Sequence, residues 1–174
     1  MFINLSDVLS EHHKPIDQVV SVEMTEIETA LGNMPIIEKN DAHIVVKHVK
    51  QKELVIDGEC KLVLEIPCDR CLEPVAIEFN LEFSKNIDLA ADEYQVDELD
   101  EKNYIDGYNL DVDKLLYNEM LIGWPMKILC SDDCKGICNV CGQNLNKGTC
   151  NCEDTSLDPR MSVIRDVFKN FKEV

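Results

Sequence analysis

The sequence has little positive charge for its size. Its 174 residues include 17 lysine and arginine residues against 34 aspartate and glutamate residues, which gives a formal net charge of −17. An acidic body of this kind repels phosphate at long range. The composition therefore argues against a nucleic-acid binder that works through bulk electrostatics.

Long hydrophobic runs are also missing. No stretch approaches the ~20 apolar residues that span a bilayer, and the N-terminus has no basic region followed by an apolar run. We therefore expect a soluble, cytoplasmic protein without a membrane partner. Hydrophobic residues still make up 45% of the chain, which is enough to fill a core and excludes disorder of the whole chain.

Signatures of catalysis are lacking too. No Ser/His/Asp set, no glycine loop that cradles phosphate and no pair of catalytic carboxylates is evident in the sequence. His43 and His48 have opposite parity on one predicted strand, so they cannot easily share a site. We therefore predict a non-enzymatic protein with no catalytic residues and no small-molecule substrate.

Alternation of apolar and polar residues predicts strands in the first half of the chain. Apolar residues occupy the even positions from Leu54 to Ile66, and the alternation resumes from Val75 to Phe83. Between these runs lies Cys68-x-x-Cys71, which is thus predicted at the turn of a long antiparallel hairpin. We expect residues 1–87 to form a mostly antiparallel sheet, curled into a sandwich or partial barrel.

The remaining segments complete an α+β fold that is mainly antiparallel β. Residues 88–113 contain ten acidic residues and one basic residue, which predicts a solvated loop. A helix after the sheet is predicted to bury one face and to end before Pro125, and a C-terminal helix is predicted to begin at Asp158-Pro159. The buried face comprises Val112, Leu115, Leu116 and Met120. The expected domains are a β-rich domain at 1–125 and a cysteine-rich, zinc-ribbon-like segment with the C-terminal helix at 126–174.

Nine cysteines are a large number for a chain without a secretion signal, where metal or redox chemistry is the usual reason for them. Six of them fall between Cys130 and Cys152. The Cys138-x-x-Cys141-Gly142 run lets two thiolates hold one metal from a tight turn, in which glycine relieves the backbone. The short Cys150-x-Cys152 pair supplies two more soft ligands, as in a zinc ribbon or knuckle.

The simplest partition of these cysteines is two four-thiolate zinc sites. The predicted ligands are Cys68, Cys71, Cys130 and Cys134 at the first site and Cys138, Cys141, Cys150 and Cys152 at the second. A single site that joins Cys68 and Cys71 to Cys138 and Cys141 is the alternative. Zinc held by four thiolates has no open position, so the sites are expected to be structural. Cys60 shares the parity of its apolar neighbours and is predicted to be a core residue.

Other chemistries of the same thiols stay open. Iron–sulfur ligation is compatible with four thiolates. A thiol oxidoreductase that uses Cys68 and Cys71 is the enzymatic alternative, but a redox pair normally opens a helix, where the dipole lowers the thiol pKa. Here Cys71 leads into Pro74 and strand alternation, which disfavours redox catalysis.

The cysteine motifs, with their flanks, resemble the YceD family, described as large ribosomal RNA subunit accumulation proteins. The resemblance rests on residues 67–74, 130–138 and 141–146, on Cys150-Asn151-Cys152 and on residues 158–160. Ile137 and Asn139 stand where leucine and proline are frequent in that family. The resemblance implies a non-enzymatic role in the synthesis, processing or stability of large-subunit ribosomal RNA.

The distribution of charge along the chain indicates what kind of partner the protein binds. Residues 88–124 carry 2 basic and 11 acidic residues, whereas residues 125–174 carry 7 of each. The acidic sheet and loop therefore favour a basic ribosomal protein, free or in a pre-ribosomal particle of the large subunit. Direct RNA binding by a zinc protein is the alternative, confined to the near-neutral C-terminal third, where Trp124 is the nearest aromatic residue.

Overall fold

The computed structural model describes residues 1–10, 14–29, 32–49, 53–88 and 104–152. Within these ranges, no helix has the length and apolar character needed to cross a membrane. The chain forms nine strands and two helices there: β1 (Phe2–Asn4), α1 (Ser6–Leu9), β2 (Ile16–Val20), β3 (Glu26–Thr29), β4 (Gly32–Lys39), β5 (Ala42–His48), β6 (Glu53–Pro67), β7 (Pro74–Asp88), β8 (Ile105–Asp106), β9 (Asn109–Asp111) and α2 (Val112–Ile122).

The larger sheet contains six of the strands. Strands β4 and β5 follow one another along the same edge of β6, and both run antiparallel to it. Strand β2 pairs with β5 and β3 pairs with β4, again antiparallel. Strand β7 also pairs with β6, as the predicted hairpin requires. The prediction of a mainly antiparallel β fold is therefore confirmed, whereas closure into a sandwich or barrel stays a prediction.

The alternation in β6 produces one buried face. Leu54, Ile56, Leu62 and Leu64 have no exposed surface, and the residues at the odd positions between them are exposed or half-buried. Burial of each such side chain stabilises the sheet by about 1.5–3 kcal/mol. Gly58 interrupts this row of large side chains because Phe83 packs there: a Cβ at Gly58 would lie 2.3 Å from Cζ of the Phe83 ring.

A smaller sheet leads into helix α2. Its strand order is β1, β9, β8, with antiparallel pairs. The Asp111 side chain caps the helix by accepting a hydrogen bond from the Lys114 amide at 3.3 Å. The predicted helix is confirmed, since its buried residues are the four that share a face in the sequence: Val112, Leu115, Leu116 and Met120.

The predicted acidic loop is partly wrong. Within 88–113, strands β8 and β9 form a short hairpin because Tyr104 and Leu110 are buried beside the acidic residues. Residues 89–103 of that segment lie outside the described residues, and so does the predicted C-terminal helix.

The chain divides into two compact units. The first comprises Met1–Ile66 and Ala76–Met126, and the second comprises Pro67–Val75 and Lys127–Val174, of which residues up to 152 are described. The turn between β6 and β7 therefore belongs to the cysteine-rich unit. The domain boundary expected at residue 125 stays a prediction.

Candidate metal centres

The first cysteine group combines the turn after β6 with the segment after α2. The sulfurs of Cys68, Cys71, Cys130 and Cys134 all lie within 4.8 Å of one another. The Sγ atoms of Cys68 and Cys134 are 3.8 Å apart, and those of Cys71 and Cys130 are 3.5 Å apart. A tetrahedral zinc ion with Zn–S bonds of about 2.3 Å separates its sulfurs by about 3.8 Å. This group therefore has the dimensions of a four-thiolate metal site.

Two residues inside the Cys68-x-x-Cys71 turn hold the distant segment in place. The Asp69 amide donates to the Ile128 carbonyl at 2.8 Å, and the Asp69 carboxylate accepts from the Ile128 amide at 2.7 Å. The guanidinium of Arg70 donates to the Cys134 carbonyl at 2.8 Å. These contacts join the segment that carries Cys130 and Cys134 to the Cys68-x-x-Cys71 turn. Sequence reasoning missed them because no local pattern links residues so far apart in the chain.

The second cysteine group lies within one short segment. The sulfurs of Cys138, Cys141, Cys150 and Cys152 also lie within 4.8 Å of one another. Cys141 is exposed, and Cys138 and Cys150 are half-buried. In the first group, by contrast, three of the four cysteines are buried. The structure thus groups Cys68 and Cys71 with Cys130 and Cys134, and it does not group them with Cys138 and Cys141.

Backbone amides point at the sulfurs in both groups. The Cys130 amide donates to the Cys68 sulfur, and the Val140 amide donates to the Cys138 sulfur, each at 3.4 Å. In the second turn, Gly142 has a φ of 73° and donates its amide to the Cys138 carbonyl at 2.8 Å. This left-handed conformation is the reason for glycine after the second cysteine.

The thiol pKa values of the first group are split. Burial acts to raise the pKa of Cys68, but hydrogen bonds from the amides of Arg70, Cys130 and Cys71 lower it to about 6. The Glu73 amide acts to lower the pKa of Cys71, yet burial and the neighbouring thiols raise it to about 12. Four thiols this close resist full ionisation because each thiolate repels the next, and a divalent cation that replaces the protons would relieve this repulsion.

The second group shows the same split. Amides of Cys141 and Val140 lower the pKa of Cys138 to about 6. The Cys141 thiol, followed by burial, raises the pKa of Cys152 to about 12. The donor set in each group, four soft sulfurs with amides aimed at them, suits Zn²⁺.

Cys68 and Cys71 are poorly placed for thiol exchange. Cys68 is fully buried and Cys71 is 4% exposed, and each sulfur lies against a cysteine of the distant segment. A redox nucleophile has to reach its substrate as an accessible thiolate. This geometry favours coordination over disulfide exchange at that pair.

Cys60 lies outside both groups. It is 7% exposed, and burial, followed by the charge of Asp41, raises its pKa to about 11. The prediction that Cys60 is a core residue is confirmed.

The fold and these clusters define a class: a mostly antiparallel β protein with two four-cysteine groups that can each hold a metal ion. A family model described as large ribosomal RNA subunit accumulation protein YceD matches residues 56–168. The chain belongs to this YceD family, which confirms the resemblance drawn from its motifs. The family name associates its members with accumulation of large-subunit ribosomal RNA. Searches of curated proteins and of solved structures gave no match to the chain.

Proposed function

We propose that this protein is a non-enzymatic factor of ribosome biogenesis that supports the synthesis, processing or stability of large-subunit ribosomal RNA in the cytoplasm. The family match over residues 56–168 is the observation that carries this proposal. The burial of Cys68 and Cys71 supports the non-enzymatic part, because those thiols are the ones an oxidoreductase would use.

We further propose that each cysteine group binds one Zn²⁺ ion and that both ions are structural. The converging sulfurs support this, and four thiolates leave no open coordination position for a substrate. The proposed ligands are Cys68, Cys71, Cys130 and Cys134 at the first site, and Cys138, Cys141, Cys150 and Cys152 at the second. A zinc ion supplies folding free energy at such sites rather than chemistry.

The acidic face of the sheet supports a basic protein partner. Asp17 and Glu59 are each 71% exposed, and both contact the ring of His43, at 2.8 and 3.2 Å. Glu59 lines a shallow groove together with Asp57 and Glu82. A surface of this charge attracts and orients a basic partner such as a ribosomal protein of the large subunit.

In the described part of the cysteine-rich unit, two of the cations that could contact RNA phosphates already have partners. Lys147 is paired with Glu73 at 2.6 Å, and Arg70 donates to the Cys134 carbonyl. Eight thiolates with two Zn²⁺ ions also contribute a net charge of −4, because eight negative charges exceed four positive ones. We therefore favour a protein partner over direct RNA contact.

Depletion of the protein from its host tests the function. We expect the ratio of mature large-subunit to small-subunit ribosomal RNA to fall, and an unchanged ratio would overturn the proposal. Metal content of the full chain, purified without a metal-affinity tag, is expected to be two zinc ions per chain by elemental mass spectrometry.

Affinity purification with and without ribonuclease identifies the partner class. We expect a basic large-subunit protein to remain bound after ribonuclease treatment. Retention of naked large-subunit RNA after ribosomal proteins are stripped would instead establish direct RNA binding. Metal-free Cys68 and Cys71 that cycle with thioredoxin would establish the oxidoreductase alternative.

A further inference from the structure

A small hairpin connects the two cysteine groups. The Cys138 amide donates to the Gln143 carbonyl at 2.8 Å, and the Leu145 amide donates to the Gly136 carbonyl at 2.9 Å. Ile137 and Asn144 form an antiparallel bridge between these bonds. The outgoing arm thus runs from the first group to the second, and the return arm runs back toward the first.

The return arm places one carboxamide on a sulfur of the first group. Nδ2 of Asn146 donates to the Cys134 sulfur at 3.2 Å, and Oδ1 of Asn146 accepts from the Lys135 amide at 2.7 Å. Because the amide of Lys135 can only donate, it fixes the oxygen of the carboxamide and directs the NH₂ group at the sulfur.

A second contact ties the same arm to the Cys68-x-x-Cys71 turn. Nδ2 of Asn144 and Nζ of Lys147 both donate to the Glu73 carboxylate, at 3.1 and 2.6 Å. The Asn144 side-chain oxygen also accepts from the Asn146 amide at 2.9 Å. Asn144, Asn146 and Lys147 therefore form one connected set of hydrogen bonds between the return arm and the first group.

The hairpin has almost no core of its own. Every residue from 139 to 149 is exposed or half-buried. A segment with so little buried apolar surface opens readily unless a ligand holds it. Cys138 and Cys141 bracket its turn, so a metal ion at the second group would close that turn and order the return arm.

We propose that the two metal sites bind cooperatively, with Asn146 as the positioning residue that couples them. Metal binding at the second group orders the hairpin and holds the Asn146 amide on the Cys134 sulfur, which strengthens metal binding at the first group. The inference rests on the proposed zinc sites and adds a coupling between them. Outer hydrogen bonds to metal ligands contribute about 10–100-fold to affinity, and linkage makes the effect equal in both directions.

Competition titrations of the full chain against a chromophoric Zn²⁺ chelator test this coupling. Cys138→Ser/Cys141→Ser leaves only the first site, and Cys68→Ser/Cys71→Ser leaves only the second. We expect the product of the two binding constants in the parent to exceed the product of the single-site constants by about tenfold or more. Equal products would overturn the proposal.

Asn146→Ala tests the route of the coupling without removal of a cysteine. We expect it to weaken first-site Zn²⁺ binding about tenfold when the second site is intact, and to have little further effect in Cys138→Ser/Cys141→Ser. Asn139→Ala is the matched control, since Asn139 lies exposed in the turn of the second group. Equal effects of the two alanine variants would overturn the role of Asn146. So would an Asn146→Ala effect of the same size with and without an intact second site.

Co²⁺ substitution distinguishes a failure of the zinc proposal from a failure of the coupling. Absorption typical of Co²⁺ bound by four thiolates in each single-site variant shows that the site still forms there. If the parent took up neither metal, the zinc proposal and the coupling would both fail. If both sites filled with independent affinities, the coupling alone would fail.

Discussion

Leu72 and Gly142 occupy equivalent places in the two Cys-x-x-Cys turns. Each follows the second cysteine, with a φ of 61° for Leu72 and 73° for Gly142. Each donates its amide to the carbonyl of the first cysteine, at 2.9 and 2.8 Å. Only one of the two residues is glycine, so the turn around Cys68 holds a leucine, 64% exposed, in a conformation that disfavours it.

Relief of this backbone strain is expected to stabilise the protein. Leu72→Gly and Leu72→Ala both remove the exposed side chain, but only glycine adopts a left-handed φ without cost. We expect the glycine variant to be about 1 kcal/mol more stable than the alanine variant in chemical denaturation. Equal stabilities would contradict any strain larger than the ~0.4–1 kcal/mol of chain entropy that glycine costs relative to alanine.

Gly58 is expected to tolerate no larger residue. A Cβ at this position would collide with the half-buried Phe83 ring, so Gly58→Ala should lower the free energy of unfolding by about 1–3 kcal/mol. Gly123→Ala is the control, because the nearest atom to a Cβ there lies 3.5 Å away. Phe83→Leu combined with Gly58→Ala should recover part of the loss, and a loss unchanged by that second substitution would contradict the proposed clash.

Asp69 is expected to hold the first cysteine group together through Ile128. Asp69→Ala leaves the Ile128 amide without its acceptor, at a cost of about 1–3 kcal/mol, and should speed zinc loss to a chelator. Asp69→Asn keeps a side-chain oxygen and should retain most of the parent behaviour. Faster loss in the asparagine variant than in the alanine variant would contradict this role.

His43 is expected to titrate above its ordinary range. Hydrogen bonds to the carboxylates of Asp17 and Glu59 raise the pKa of His43 above 6.5. Because the folded-state pKa of His43 lies above its unfolded-state pKa, the two hydrogen bonds stabilise the fold fully at pH values below the unfolded-state pKa. This stabilisation is lost as the pH rises through the folded-state pKa. An NMR titration should show this shift, and Asp17→Asn with Glu59→Gln should return the midpoint toward 6.5. A midpoint that the double variant left in place would rule out this origin.

The nine thiols are expected to separate by reactivity. After chelation, Cys138, which is half-buried and has its pKa lowered to about 6, should react with iodoacetamide first, whereas Cys60 should stay unmodified until the protein unfolds. Burial raises the pKa of Cys60 to about 11, so it carries almost no thiolate at pH 8. Peptide mass spectrometry before and after chelation measures each site. Early labelling of Cys60 would contradict its place in the core.

Local patterns predicted the regular elements. The alternation around Leu62 and the helical spacing of Leu115 and Met120 each repeat the period of their element, so strands β6 and β7 and helix α2 follow from the sequence. The hairpin of β8 and β9 could not be predicted from the sequence, because the acidic residues around Leu110 dominate the composition of that segment.

No local sequence pattern predicted the long-range contacts or the strained turn. The contact of Asn146 with Cys134 depends on the return of a hairpin, and the bond between Asn144 and Glu73 spans 71 residues. The left-handed turn at Leu72 contradicts the preference of leucine itself. The pairing of cysteines into two groups was predictable by spacing, but the residues that support each group were not.

With a metal ion bound, the first cysteine group would also cross-link distant parts of the chain. Cys71 and Cys130 are 59 positions apart, so a metal ion that binds both closes a long loop, as a disulfide would. The entropy of loop closure grows only with the logarithm of loop length, and a doubling of the loop costs about 0.6 kcal/mol. The closed loop contains β7, β8, β9 and α2, so a metal ion at the first group would reduce the chain entropy that these elements gain on unfolding.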